Sequence, residues 1–139
     1  MDDIRRFCGR IREIAFAIHV YLGPGHLEKI YENALAHRLR SAGFQLVRQP
    51  SVQVRDEDGT LIGECVPDLL VEGIVLLELK AVRHLGAEHE AQILGYLKAT
   101  SIEHGMLLNF GGYRFQIRKF ACLRGHQVQA SVLSTDFSY

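Results

Sequence analysis

Residues 67–80 read Pro67-Asp68-Leu69-Leu70-Val71-Glu72-Gly73-Ile74-Val75-Leu76-Leu77-Glu78-Leu79-Lys80, and the fold turns on how this stretch doubles back on itself. Glu72-Gly73 has the composition of a tight reversal. The run after it, Ile74 to Leu79, is almost entirely apolar, which suggests a strand buried on most of both faces and therefore the centre of a sheet. With residues 72–74 as the turn, Asp68 falls about opposite Glu78, at a cross-strand side-chain separation of roughly 5 Å. A carboxylate inside so apolar a strand is costly unless a cation compensates it.

Upstream, Ile4, Phe7, Cys8, Ile11, Ile14, Ala15 and Ile18 recur at steps of three and four, predicting an amphipathic helix from Asp2 to about Leu22. Gly23-Pro24-Gly25 breaks it, and a second helix is expected from about Pro24 through Arg40, stopped by Gly43. Leu46 to Arg48 and Val52 to Arg55 read as strand, Asp56 to Gly59 as a turn, and Thr60 to Val71 as strand broken by Pro67. Downstream, Glu88 to Ile102 returns to helical spacing. Gly105 to Phe110 is a strand, and Gly111-Gly112 opens a hairpin into the alternating run Tyr113 to Phe120. The expected order is α-α-β-β-β-α-β-β, an α/β protein with a central mixed sheet flanked by helices. Residues 1–120 form one domain in this reading, and 121–139 a C-terminal tail or packing arm.

The chain has 139 residues, 47% of them hydrophobic and 23% charged, which fits one soluble globular domain and excludes disorder or a fibrous repeat. Lys and Arg number 16 and so do Asp and Glu, so a polyanion partner must be held by a local patch or a metal. The 3 cysteines, Cys8, Cys65 and Cys122, form no C-x-x-C pair and argue against a disulfide scaffold or a cysteine zinc site. No stretch approaches the roughly 18 to 20 apolar residues of a membrane span, and a reducing cytoplasm is the expected compartment.

The chemistry gathers around the opening stretch. Asp68 and Glu78 suit a hard divalent cation such as Mg2+ or Mn2+, which takes oxygen ligands and keeps several waters. Strand period two places Lys80 on the face of Glu78, where its ammonium can orient a water and offset charge developing on a phosphate. Gln92 and Tyr96 share a face of the following helix, one turn apart. Glu28 and Tyr31 stand three apart on the second helix, which puts Glu28 at or beside its buried stripe.

Other chemistries find less support. His84 and His89 are not in an H-E-x-x-H arrangement and read as surface or packing residues. His26, close to Glu28, is a weaker candidate for a cleft position. The serines lack a G-x-S-x-G setting, and Gly23-Pro24-Gly25 is followed by no Gly-Lys-Ser/Thr and reads as a helix start. Arg5, Arg6, Arg10 and Arg12, with Lys98, Arg114, Arg118 and Lys119, are either solvated faces or phosphate-binding patches.

Gly25-His26-Leu27-Glu28-Lys29-Ile30-Tyr31 resembles the G-x-x-E-x-x-Y signature of the GxxExxY proteins, a bacterial and archaeal group placed in the PD-(D/E)XK nuclease superfamily. The blocks Gly63 to Glu72, Leu77 to Val82, His89 to Lys98 and Leu107 to Gly111 follow in the matching order, so the likeness covers about residues 8 to 120. The resemblance implies a restriction-endonuclease-like core with the Gln-x-x-x-Tyr helix of the RecB-like branch. Carried over by position, Glu28 is the leading-helix acid, Asp68 and Glu78 are metal ligands, Lys80 is the catalytic lysine, and Gln92 and Tyr96 are the accessory pair.

Two functions are therefore expected of such a chain. One is a magnesium- or manganese-dependent nuclease hydrolysing DNA or RNA, with Asp68, Glu78 and Glu28 about the metal. The other is a catalytically silent member of the same fold serving as a homo-oligomeric scaffold, for which a two-fold dimer is the plain guess.

Overall fold

The computed structural model describes residues 2–122 and 133–137. Helices α1 (Asp2–Leu22) and α2 (Glu28–Ser41) lead into strands β1 (Leu46–Arg48), β2 (Val52–Arg55), β3 (Leu61–Cys65), β4 (Leu69–Val71) and β5 (Val75–Lys80). Helix α3 (Ala87–Thr100) then precedes β6 (His104–Asn109), β7 (Phe115–Ala121) and β8 (Leu133–Phe137). One mixed sheet runs in the order β1-β4-β5-β6-β7-β8, while β2 and β3 pair as a separate hairpin. In the large sheet β5 and β6 are parallel, joined by the α3 crossover, and the other neighbours are antiparallel.

The α/β architecture with helices flanking a mixed sheet is thus the one expected, but the strand count is not. Five strands, not three, precede α3 and three, not two, follow it. The Thr60 to Val71 segment splits because Pro67, which lacks an N–H and is buried, lies where the chain leaves the β3 hairpin and enters the main sheet as β4. Strand β8 went unread because its alternation, Leu133, Thr135 and Phe137 against Ser134 and Asp136, is too short to stand out from a loop. The rest of the expected tail, 123–132 and 138–139, lies outside the described residues.

A second correction concerns α2, which begins at Glu28 and not at Pro24. Gly23 and Gly25 take φ values of 66° and 109°, a left-handed backbone that a right-handed helix cannot include. Gly43, at φ 93°, follows the helix as the expected stop.

Strand β5 divides the core. Val75, Leu77 and Leu79 pack into the cluster built by Ile11, Ala15 and Ile18 of α1 with Leu35 and Leu39 of α2. Leu76 belongs to the opposite cluster, with Ile93 and Leu97 of α3. Each such buried side chain contributes about 1.5–3 kcal/mol relative to exposure, so these two layers fix which way β5 faces. Period two then assigns Glu78 and Lys80 to the α3 side.

The β6–β7 turn is fastened to the end of β5. Phe110 N–H donates to the Lys80 carbonyl at 2.8 Å. Asn109, fully buried, accepts at Oδ1 from the N–H groups of Val82 and Gly111, both at 3.1 Å. From α1, buried His19 donates through Nε2 to the Gly112 carbonyl at 2.8 Å, and burial lowers its pKa, which favours the neutral ring. The approach is close enough that a Cβ built on Gly111 would lie 2.3 Å from the Val82 nitrogen. At Gly95 in α3, by contrast, an added Cβ meets nothing within 4 Å.

Two alanine substitutions should therefore move stability in opposite directions. Gly95→Ala, on an exposed helical position, should stabilise by up to about 1 kcal/mol in urea denaturation, as helix propensity dictates. Gly111→Ala should destabilise by about 1–3 kcal/mol or more, because backbone must move. A neutral Gly111→Ala would show that the turn does not press on the end of β5.

Candidate active site

The β4–β5 hairpin has the register expected for it, Leu69 opposite Leu77 and Val71 opposite Val75, so Asp68 follows on opposite Glu78 just beyond the ladder. Two hydrogen bonds cross between them. Asp68 N–H donates to Glu78 Oε1 at 2.8 Å, and Leu79 N–H donates to Asp68 Oδ2 at 2.8 Å. Each acid thereby caps the other's strand. Glu78 is 4% exposed and Asp68 partly buried.

That burial governs their protonation. Desolvation, then the neighbouring Asp68 charge, pushes the Glu78 pKa up to about 8, against relief from the Asp68 amide and from Lys80. Asp68 is raised as well, first by burial, with the Leu79 amide and Lys80 pulling the other way. Lys80 Nζ stands 3.7 Å from Glu78 Oε2, on the same strand face.

Over this face lies α3, where Gln92 donates through Nε2 to the Tyr96 hydroxyl at 2.9 Å. Burial and then the Glu78 charge raise the Tyr96 pKa, which keeps the phenol protonated. His89 has a structural task instead: its Nδ1 accepts from Gly86 N–H at 3.0 Å at the start of α3.

Glu28 stands at the first residue of α2, exposed, beside the buried stripe of that helix and not within it. Its pKa is raised by partial desolvation and then by the charge of Asp68, which puts it at the rim of the same acid group. The buried acid of this helix is Glu32, one turn on, 4% exposed. It binds Arg48 of β1 at 2.5 Å and Lys29 at 3.1 Å. Burial opposes its ionisation, but these partners outweigh it and hold its pKa down. Sequence spacing did not single out Glu32 or Arg48, since the pair joins a helix to a strand 16 residues away.

Tyr31 explains how Glu28 is aimed. The buried ring stacks on Phe110 at 4.8 Å and 13°, its hydroxyl donates to the Gly23 carbonyl at 2.5 Å, and it accepts from His26 N–H at 3.2 Å. The loop before Glu28 is thus tied to the strand that runs beside β5. His26 itself is exposed and meets the Tyr31 ring edge-on.

A buried and a partly buried carboxylate with elevated pKa values and hard oxygen donors fit a divalent ion, whose charge would offset their desolvation. Among the described residues no three His, Cys, Asp or Glu side chains gather into a ready cage. Among the described residues no helix is long and apolar enough to cross a membrane.

A family model described as PD-(D/E)XK nuclease superfamily matches residues 5–120. No curated protein matches the chain. Among solved structures, the crystal structure of SSO0001 is similar at 15% identity and a TM-score of 0.48, covering 96% of this chain and 59% of that one.

The raised carboxyl has a consequence for stability. Unfolded Glu78 ionises near 4.5, whereas the folded group holds its proton up to about 8, so folding takes up a proton between those values. In EDTA, the stability due to this residue should be full at low pH and decline as pH rises through that window. Urea denaturation at about pH 5 and about pH 9 should show that decline, and Glu78→Gln should flatten it. An equal slope in wild type and variant would place the titration elsewhere.

Proposed function

The chain belongs to the PD-(D/E)XK nuclease superfamily, and on that premise we propose that it is a divalent-metal-dependent nuclease of the GxxExxY group, hydrolysing phosphodiester bonds of DNA or RNA. The observation that carries the reading is the convergence of Asp68, Glu78 and Lys80 on one face of the β4–β5 hairpin, beneath the Gln92–Tyr96 hydrogen bond. A restriction-endonuclease-like core would present them at the C-terminal end of β5, an interior strand of the sheet.

Asp68 and Glu78 would hold Mg2+ or Mn2+, with Glu28 contributing from the rim. The ion would supply positive charge at the scissile phosphate and acidify a coordinated water. Lys80, beside Glu78, offers its ammonium to orient the attacking water and to balance charge on the pentavalent transition state. Gln92 and Tyr96 offer an amide and a phenol above the same face, to steady Lys80 or a phosphate oxygen. Glu32 and Arg48 hold α2 against β1 and so keep Glu28 at the rim.

Purified protein should cleave single-stranded, duplex or structured DNA or RNA when Mg2+ or Mn2+ is present and not in EDTA. Lys80→Ala and Asp68→Asn should each lower the rate by about 10²-fold or more while leaving the fold intact by circular dichroism. Absence of cleavage on all these substrates would remove the proposal, and full activity in Lys80→Ala would remove the assigned role of the lysine.

A further inference from the structure

Beside the site, where β5 ends and the β6–β7 turn rises, lies a cleft of about 730 Å³. Its wall carries Arg83, His84, Tyr113 and Arg114, and no carboxylate is among its lining residues. In a chain whose charges balance at 16 against 16, this is a local concentration of positive charge. Neither arginine has an ion-pair partner among the described residues. Two other arginines are engaged within the chain: Arg118 pairs with Glu90 at 2.7 Å, and Arg10 lies over the Phe44 ring at 4.3 Å.

The turn that forms the cleft's floor sets the two arginines together. A Cβ built on Gly112 would lie 3.2 Å from the Arg83 carbonyl and 3.3 Å from that of Arg114, so both residues spring from backbone packed on one glycine. Tyr113 stands between them in sequence and 86% exposed. An aromatic ring so placed buries almost nothing within its own chain. Arg83 is three residues past Lys80, at most about 11 Å along the backbone, and the Lys80 carbonyl is fixed to this turn by Phe110.

We propose that this cleft binds a single strand of nucleic acid, its phosphates on Arg83 and Arg114 and an unpaired base stacked on Tyr113, and leads that strand to the Asp68–Glu78–Lys80 face. The inference rests on the nuclease reading and narrows its substrate to single-stranded DNA or RNA, or to the unpaired part of a structured one. Paired cations with a free aromatic ring are what a sequence-tolerant single-strand binder needs. A duplex keeps its bases stacked inside and offers the ring no face.

Fluorescence anisotropy in EDTA, with the full chain and labelled oligo-dT or oligo-U, separates binding from cleavage. Wild type should bind a single strand more tightly than a blunt duplex of equal length. Tyr113→Ala should weaken single-strand binding by between about 5- and 150-fold. Replacing both Arg83 and Arg114 by Ala should weaken it further at low salt and reduce the log–log salt slope by about 1.4, or 0.7 per phosphate contact. Preference for DNA or RNA is read from the two probes. Unchanged affinity in these variants, no single-strand binding, or tighter duplex binding would overturn the proposal. Binding through these residues without hydrolysis in Mg2+ would instead leave the cleft standing and remove the nuclease; hydrolysis of single strands with unaltered kcat/KM in the variants would do the reverse.

Discussion

Glu78 sits 4% exposed in a strand whose preceding residues, from Val75 to Leu77, are buried hydrocarbon, and the cost of keeping a carboxyl there shapes what surrounds it. The Asp68 amide caps one oxygen, Lys80 stands near the other, and Asp68 is itself held by the amide that follows Glu78. These contacts do not cancel the penalty, since both carboxyls stay raised above the usual range. The residual imbalance is what a bound cation would offset. A stable core would be better served by leucine at 78, and the acid makes sense under the proposed metal-binding role.

The remainder of the fold can be understood as holding that strand in one orientation. Two apolar layers, α1 with α2 on one side and α3 on the other, leave β5 no freedom to rotate, so Glu78 and Lys80 must emerge under α3. The turn after β6 is fixed to Lys80 by Phe110, to Val82 by Asn109 and to α1 by His19. Tyr31, stacked on Phe110, ties the loop before Glu28 to the same strand. One line of contacts thus runs from the α2 loop through Phe110 to the lysine and on to the arginine-lined cleft, so a chain of zero net charge still carries a local basic surface beside these residues.

Much of this was legible in the sequence because it depends on local period. The run Ile74 to Leu79 announced a buried strand, the Glu72-Gly73 reversal set the register that brings Asp68 opposite Glu78, and helical spacing brought Gln92 to Tyr96. What escaped depends on contacts between distant segments. Glu32 and Arg48 are meaningful only once α2 lies on β1, and Asn109 or His19 only once the turn touches β5 and α1. The start of α2 was misplaced because Pro24 is a good first helical residue in isolation, whereas the flanking glycines adopt positive φ. Strands β3 and β4 were read as one broken strand, Thr60 to Val71, because period alone does not say which sheet a strand joins.

The account stands on a divalent ion between Asp68 and Glu78. A crystal structure grown with Mn2+ tests it most directly, through the anomalous signal of the metal. The account predicts one peak at the Asp68 and Glu78 carboxylates, and its loss in Asp68→Asn. A saturating soak that leaves the space between these carboxylates empty, or a peak unchanged in the variant, would contradict it.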